Sequence, residues 1–207
     1  MFFSIIIPAH NASGHIRKAL DSIKAQTFTD YELIVVCDSC TDDTEQIAEE
    51  YGARTETVEY HCDGPTRNRG LELAQGDWIL FMDDDDWWLH EYVLQQLSEK
   101  IAKEQWADII AFSFIFRHIG YAMPIRKCNG SMWVACWCKC YRRTAIGDAR
   151  FSDVTDGSAD VQFFSMVFNK RLRICFWDMP LYYYNYWRED SISERITTDF
   201  RGRTGLL

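Results

Sequence analysis

Four successive aspartates, Asp83 to Asp86, stand directly behind the apolar run Trp78 to Met82 and directly ahead of Trp87 and Trp88. The apolar run is rich in residues that favour extended backbone and predicts a short buried strand. Four adjacent like charges repel one another, and an acidic tail would not lead at once into two tryptophans. The chain must therefore bring a core strand out where carboxylates are tolerated and return straight to the core. Two readings meet that demand. Carboxylate oxygens are hard ligands that suit Mg2+ or Mn2+; the same run can also be a solvated acidic loop before a helix, where Asp is favoured.

The first hundred residues alternate between strand and helix patterns. Phe3 to Pro8 is an apolar strand, followed by a polar loop from Ala9 to Gly14 and a helix with Ile16, Leu20 and Ile23 on its buried stripe. Tyr31 to Val36 is a second strand, ending in Cys37-Asp38-Ser39-Cys40. Thr41 is expected to N-cap the next helix, with Asp42 and Asp43 in its first turn and Gly52 after its end. Thr55 to Tyr60 reads as a less apolar strand near an edge. Pro65 suits the start of the helix that follows. Arg67 and Arg69 fall in its first turns, where a cation opposes the helix dipole and a bound anion would explain it.

Farther on, Glu91 to Gln105 is a helix and Asp108 to Phe116 a strand. Met132 to Tyr141 reads as a strand with Cys136, Cys138 and Cys140 on one face, small buried side chains in all three cases. A helix with Val161, Phe164, Ser165 and Phe168 on its inner face comes next, then two strands, Arg171 to Trp177 and Leu181 to Trp187. This order predicts an α/β domain with a mixed, mainly parallel sheet and helices on both faces. The carboxyl ends of its strands would gather Pro8 to Asn11, Asp38 and Asp83 to Asp86 into one crevice.

At 207 residues the chain suits a single domain. Its net charge of −9 argues against nucleic acid as a partner. It has no apolar run of about 18 residues, and its first residues lack a basic region and a cleavage site. Eight cysteines in that setting imply reduced thiols and a cytoplasmic location. Cys37 and Cys40 have the spacing of a redox pair, but Asp38 between them disfavours a thiolate. The basic tail, with Arg195, Arg201 and Arg203, offers contact with anionic lipid at the inner face of a membrane, set against plain solvation.

Several of these stretches, in this order, resemble the family-two glycosyltransferases of GT-A fold. They are Ser4 to Asn11, Gln26 to Val36, Asp38 with Thr41-Asp42-Asp43-Thr44, Arg67-Asn68-x-Gly70, and Asp83-x-Asp85-Asp86. Trp137-x-Lys139-x-Tyr141-Arg142-Arg143, Pro180 to Tyr184 and Ser191-Ile192-Ser193 are similar to later landmarks of that family.

The resemblance implies a metal-assisted, inverting transfer of a sugar from a nucleotide-diphosphate donor, a UDP-sugar above all. The acceptor would be a hydroxyl of a glycan or of a lipid-linked sugar. By the same resemblance Pro8, Ala9, His10 and Asn11 lie over the base, Asp38 accepts a hydrogen bond from it, Arg67 holds the nucleotide and Asp84 lies nearest the ribose. Asp85 is then the ligand of Mn2+ or Mg2+, with Asp83 in support, and Asp160 is the general base. Ala159 stands where the family often has Glu, and Asp156 or Asp153 would be the base if the match slips. Residues 1–100 would form the nucleotide-sugar half, 101–193 the acceptor half, and 194–207 a flexible tail. Trp133, Trp137, Tyr182 and Tyr184 are candidates to stack on sugars or to fill the core. The rival readings are a nucleotidyltransferase, which would need a glycine-rich loop near the first strand, and a non-catalytic binding module of the same fold.

Overall fold

Continuous apolar character without alternation marks a strand covered on both faces, and strand β1 (Phe3–Ala9) is buried at every residue. The computed structural model describes residues 1–117, 122–125, 134–155, 158–170 and 172–185. In it β1 pairs in parallel with β2 (Tyr31–Asp38) and β4 (Trp78–Phe81), and β3 (Arg54–Val58) lies parallel beyond β2 as the expected edge. Past β4 the direction reverses. Strand β8 (Lys139–Arg142) runs antiparallel to both β4 and β6 (Ile109–Phe116), and β6 lies parallel to β9 (Ile174–Tyr184). Two short strands complete the sheet: β5 (Trp87–Trp88) on β9 and β7 (Ala122–Met123) on β6. The order is β3-β2-β1-β4-β8-β6-β9-β5.

Side chains alternate across β1, so Phe3, Ile5 and Ile7 join one core cluster and Ile6 the other. Helices α1 (Ile16–Lys24), α2 (Thr44–Glu50) and α4 (Val93–Lys103) cover the first face. Helices α3 (Asp63–Leu73), α5 (Arg143–Ile146) and α6 (Ala159–Phe168) cover the second. Helix α3 lies so close to β1 that a Cβ on Gly70 would overlap the Ile6 side chain. Only glycine lets the helix approach that far.

Four expectations are corrected. Cys136–Cys138 form a 3-10 turn, and the strand begins only at Lys139; the three thiols are buried all the same. The inner face of α6 is Ala159, Phe163, Phe164 and Val167, whereas Val161 and Phe168 are exposed. This helix is apolar nearly all round, so helical spacing fitted either face. The last two expected strands are one, β9, which absorbs Asp178 and Met179 as a register shift opposite Phe112 and Ser113. Thr41 does not cap α2. The cap position is Asp43, without a side-chain cap bond, and the Asp42 carboxylate one residue earlier accepts from the Thr44 amide (3.1 Å) and the Thr44 hydroxyl (2.5 Å). The expectations for Trp133, Asp156, Trp187, Ser191 to Ser193 and the tail fall outside the described residues.

Candidate active site

The two loops that leave β1 and β2 are sewn together. His10 Nδ1 donates to the Asp38 carbonyl (2.6 Å), and Asn11 Oδ1 accepts from the Thr41 amide (2.8 Å). The Ala12 amide donates to Thr44 Oγ1 (2.7 Å) and the Ser13 amide to Asp42 Oδ2 (2.9 Å). Asn11, Ser39 and His61 adopt left-handed backbone, φ +48°, +54° and +52°, all at this end of the sheet. Strain of that kind collects at functional sites. Pro8 and Ala9 are buried in β1, leaving His10 and Asn11 as the accessible part of the first loop.

Asp38 is occupied by the chain itself. Its Oδ1 accepts from the amides of Tyr60 (2.7 Å) and His61 (2.9 Å) and from the Ser39 hydroxyl (3.0 Å). Its Oδ2 accepts from the Cys62 amide and the Thr66 hydroxyl, both at 2.9 Å. Burial raises the pKa of this carboxyl, but the bonds from His61, Cys62, Thr66 and Tyr60 outweigh it and hold the group below its ordinary range. In the structure Asp38 is the anchor of the loop between β3 and α3, a role its place after a strand did not signal.

The four aspartates separate into different roles. Asp86 is fully buried and accepts from the Tyr182 hydroxyl (2.6 Å) and the Asn185 amide (2.7 Å). The same Tyr182 oxygen accepts the Asp83 amide (3.1 Å), so one side chain of β9 fixes both ends of the acidic turn. Asp84 meets His15 Nε2 at 3.1 Å, just before α1. Asp83 bonds Arg67 Nη2 at 2.8 Å. Burial pushes the Asp83 carboxyl up to about 7; Arg67 opposes this, while Asp85 and Asp160 add to it.

Arg67 itself is buried, with Nη1 3.6 Å from Asp63 and its guanidinium over the Phe151 ring. The anions facing it are therefore carboxylates of the chain, which explains a cation so near the start of α3. Its Nε is buried without a hydrogen-bond partner among the described residues. Arg69 turns outward to Glu56 and Glu72.

Asp160 arrives from the far half of the chain, in the first turn of α6. Its Oδ2 accepts the Cys136 amide at 3.1 Å. Its charge acts on Arg67, Asp83 and the Cys136 thiol, and burial and these carboxylates keep that thiol far above its ordinary range. Asp83, Asp85, Arg67, Cys136 and Asp160 thus meet at one place. Ala159 is packed in the core with Phe163 and Val167, so the helix spends that position on burial, where a glutamate would be stranded.

Among the described residues no three His, Cys, Asp or Glu side chains form a complete ligand set for a metal. Mg2+ and similar ions are commonly held by one or two carboxylates and completed by substrate phosphates. Asp83 and Asp85, two carboxylates that act on each other at the end of β4, fit that donor set of one or two. Cys37 and Cys40 are both free thiols. Trp137 stacks between Tyr182 and Tyr184 (centroids 5.0 and 4.5 Å away) and is core, not a sugar platform. Sequence reasoning missed the roles of Tyr182, His15 and Cys136, because each acts on a residue far away in the chain.

The family model for Glycosyl transferase family 2 matches residues 4–125. The putative glycosyltransferase EpsH of Bacillus subtilis (strain 168) is 28% identical over 206 residues, covering 87% of this chain and 60% of EpsH. The crystal structure of S. aureus TarS 1-349 in complex with UDP-GlcNAc superposes with a TM-score of 0.79 at 23% identity, over 93% of this chain and 61% of that one. The mannosyltransferase PcManGT from Pyrobaculum calidifontis, in complex with GDP-Man and Mn2+, gives 0.70 at 14% identity, over 91% and 58%. The chain spans less than two thirds of the length of each. These likenesses identify the fold as GT-A, a single mixed α/β domain with a curled sheet. Among the described residues no helix is long and apolar enough to cross a membrane.

Proposed function

The chain belongs to glycosyl transferase family 2, and from that premise we propose that it is an inverting glycosyltransferase using a nucleotide-diphosphate sugar, a UDP-sugar first. The acceptor is a hydroxyl of a glycan or a lipid-linked sugar. One observation carries the reading: Asp160, from the far half of the chain, accepts the Cys136 amide close enough to Asp83 and Arg67 to raise the Asp83 carboxyl.

In this reading the base lies over Pro8 to Asn11, and Asp38 serves the nucleotide by holding the Tyr60 to Cys62 loop. Asp84, braced by His15, faces the ribose. Arg67, held by Asp83 and Asp63, lends its positive charge to the nucleotide side of the crevice. Asp85, with Asp83 beside it, would hold Mn2+ or Mg2+. The chemistry a divalent ion supplies there is neutralisation of the charge that gathers on the departing diphosphate. Asp160 takes the proton of the acceptor hydroxyl as its oxygen attacks the anomeric carbon. Direct displacement inverts that carbon, with the nucleoside diphosphate leaving from the opposite side.

The test is a calorimetric panel of UDP, GDP, CMP and dTDP, each with and without Mn2+. UDP should bind most tightly, and more tightly with the ion. Equal, metal-independent binding of all four, or no binding, would refute the donor assignment.

A further inference from the structure

Lys139 is fully buried in strand β8. Taking an ammonium out of water is strongly unfavourable unless its donors are met, and a strand that needed only packing would carry Leu or Met there. The charge is spent on one turn. Lys139 Nζ donates to the Ala135 carbonyl (2.7 Å) and to Cys138 Sγ (3.3 Å), and the Cys138 thiol donates to the same carbonyl (3.3 Å). The next amide after that carbonyl is Cys136, which donates to Asp160 Oδ2. Lys139 Nζ also lies 5.0 Å from the ring centroid of Phe164, one helical turn beyond Asp160 in α6. A single buried cation therefore braces both pieces of backbone that determine where the Asp160 carboxylate sits.

We propose that Lys139 is a positioning residue for sugar transfer: it fixes the Ala135–Cys138 turn so that the Cys136 amide holds Asp160 in place for the acceptor. The inference rests on Asp160 being the base, as proposed above. It extends that reading to a residue that touches neither donor nor acceptor.

The first test needs no substrate. In Lys139→Met the Cys136 amide should exchange with solvent at least tenfold faster than in the wild type, while the Ile110 amide in β6 keeps its protection. Unchanged exchange at Cys136 would overturn the proposal. The second follows UDP release from UDP-GlcNAc in Mn2+. Lys139→Met should lower kcat about tenfold with the Kd for UDP within twofold of wild type, and should add no further loss to Asp160→Asn. A loss that multiplies with that of Asp160→Asn overturns the positioning role and leaves the base assignment standing. A fully active Asp160→Asn overturns both. Should Lys139→Met fail to fold, an ester in place of the Ala135–Cys136 amide removes the N–H that holds Asp160 and adds no atom. The ester protein should then be about tenfold slower than the amide protein, and equal rates would overturn the proposal.

Discussion

Replacing Asp38 by Ala should unfold the protein far more readily, with no ligand present. The carboxylate is 5% exposed and accepts five bonds, three of them from consecutive backbone amides, Tyr60 to Cys62. A hydrogen bond to a charged group contributes about 1.5–3 kcal/mol. Tyr60 and His61 lie at the surface, so water can replace part of what they lose. Taking ~1 kcal/mol for each amide and ~1 for the Thr66 hydroxyl gives a loss of about 4 kcal/mol, in the range of buried-network mutants. At about 2–4 °C per kcal/mol for a domain of this size, the midpoint should fall by about 8–16 °C.

The pH dependence follows in sign. A carboxyl whose folded pKa is lowered lends stability above its ordinary range and loses it as the pH falls through its folded value. The stability gap between wild type and Asp38→Asn should therefore be widest near neutrality and narrow in acid. Urea melts from pH 7 down to about pH 2 measure it, because the gap closes only below the ordinary carboxyl value of about 3.9. A midpoint for Asp38→Ala within about 2 °C of wild type would refute the claim that this side chain organises the loop, since so small a shift is less than ~1 kcal/mol for a domain of this size.

The other predictions concern the site and its supports. Asp85→Ala should abolish the Mn2+-dependent part of UDP affinity in calorimetry; identical affinity would return the aspartate run to an acidic loop. Asp160→Asn should bind UDP and Mn2+ normally while transfer falls by about 10² or more, and loss of nucleotide binding would place Asp160 in the donor site instead. Tyr182→Phe should cost about 2 kcal/mol in urea unfolding, because it strands the Asp83 amide and one oxygen of buried Asp86; a neutral substitution would show that water fills the gap. Gly64→Ala should lower stability by about 2 kcal/mol or more, since its Cβ would overlap the Ser152 carbonyl and displace backbone. A variant as stable as wild type would mean the Phe151–Ser152 segment yields freely.

Much of this molecule was legible along the chain. Continuous apolar runs placed β1 and β2, and helical spacing placed α1 and α4, within a few residues, because those signals depend only on neighbours. The strand ending in aspartates and the cation at Arg67 marked the crevice. They did so because charge beside apolar sequence is rarely left there by packing alone. What the sequence left open was partnership. Nothing near Asp86 says that it will be sealed by Tyr182, 96 positions away, while Asp83 meets Arg67 and Asp84 meets His15. Nothing in an almost uniformly apolar helix says which side of α6 turns inward. Those choices were made when the chain placed β8, β6 and β9 beyond β4, which brought Cys136, Lys139 and Tyr182 up to the aspartates. Hydrogen-bond partners are selected by distance in space, and only the closed sheet supplies that distance.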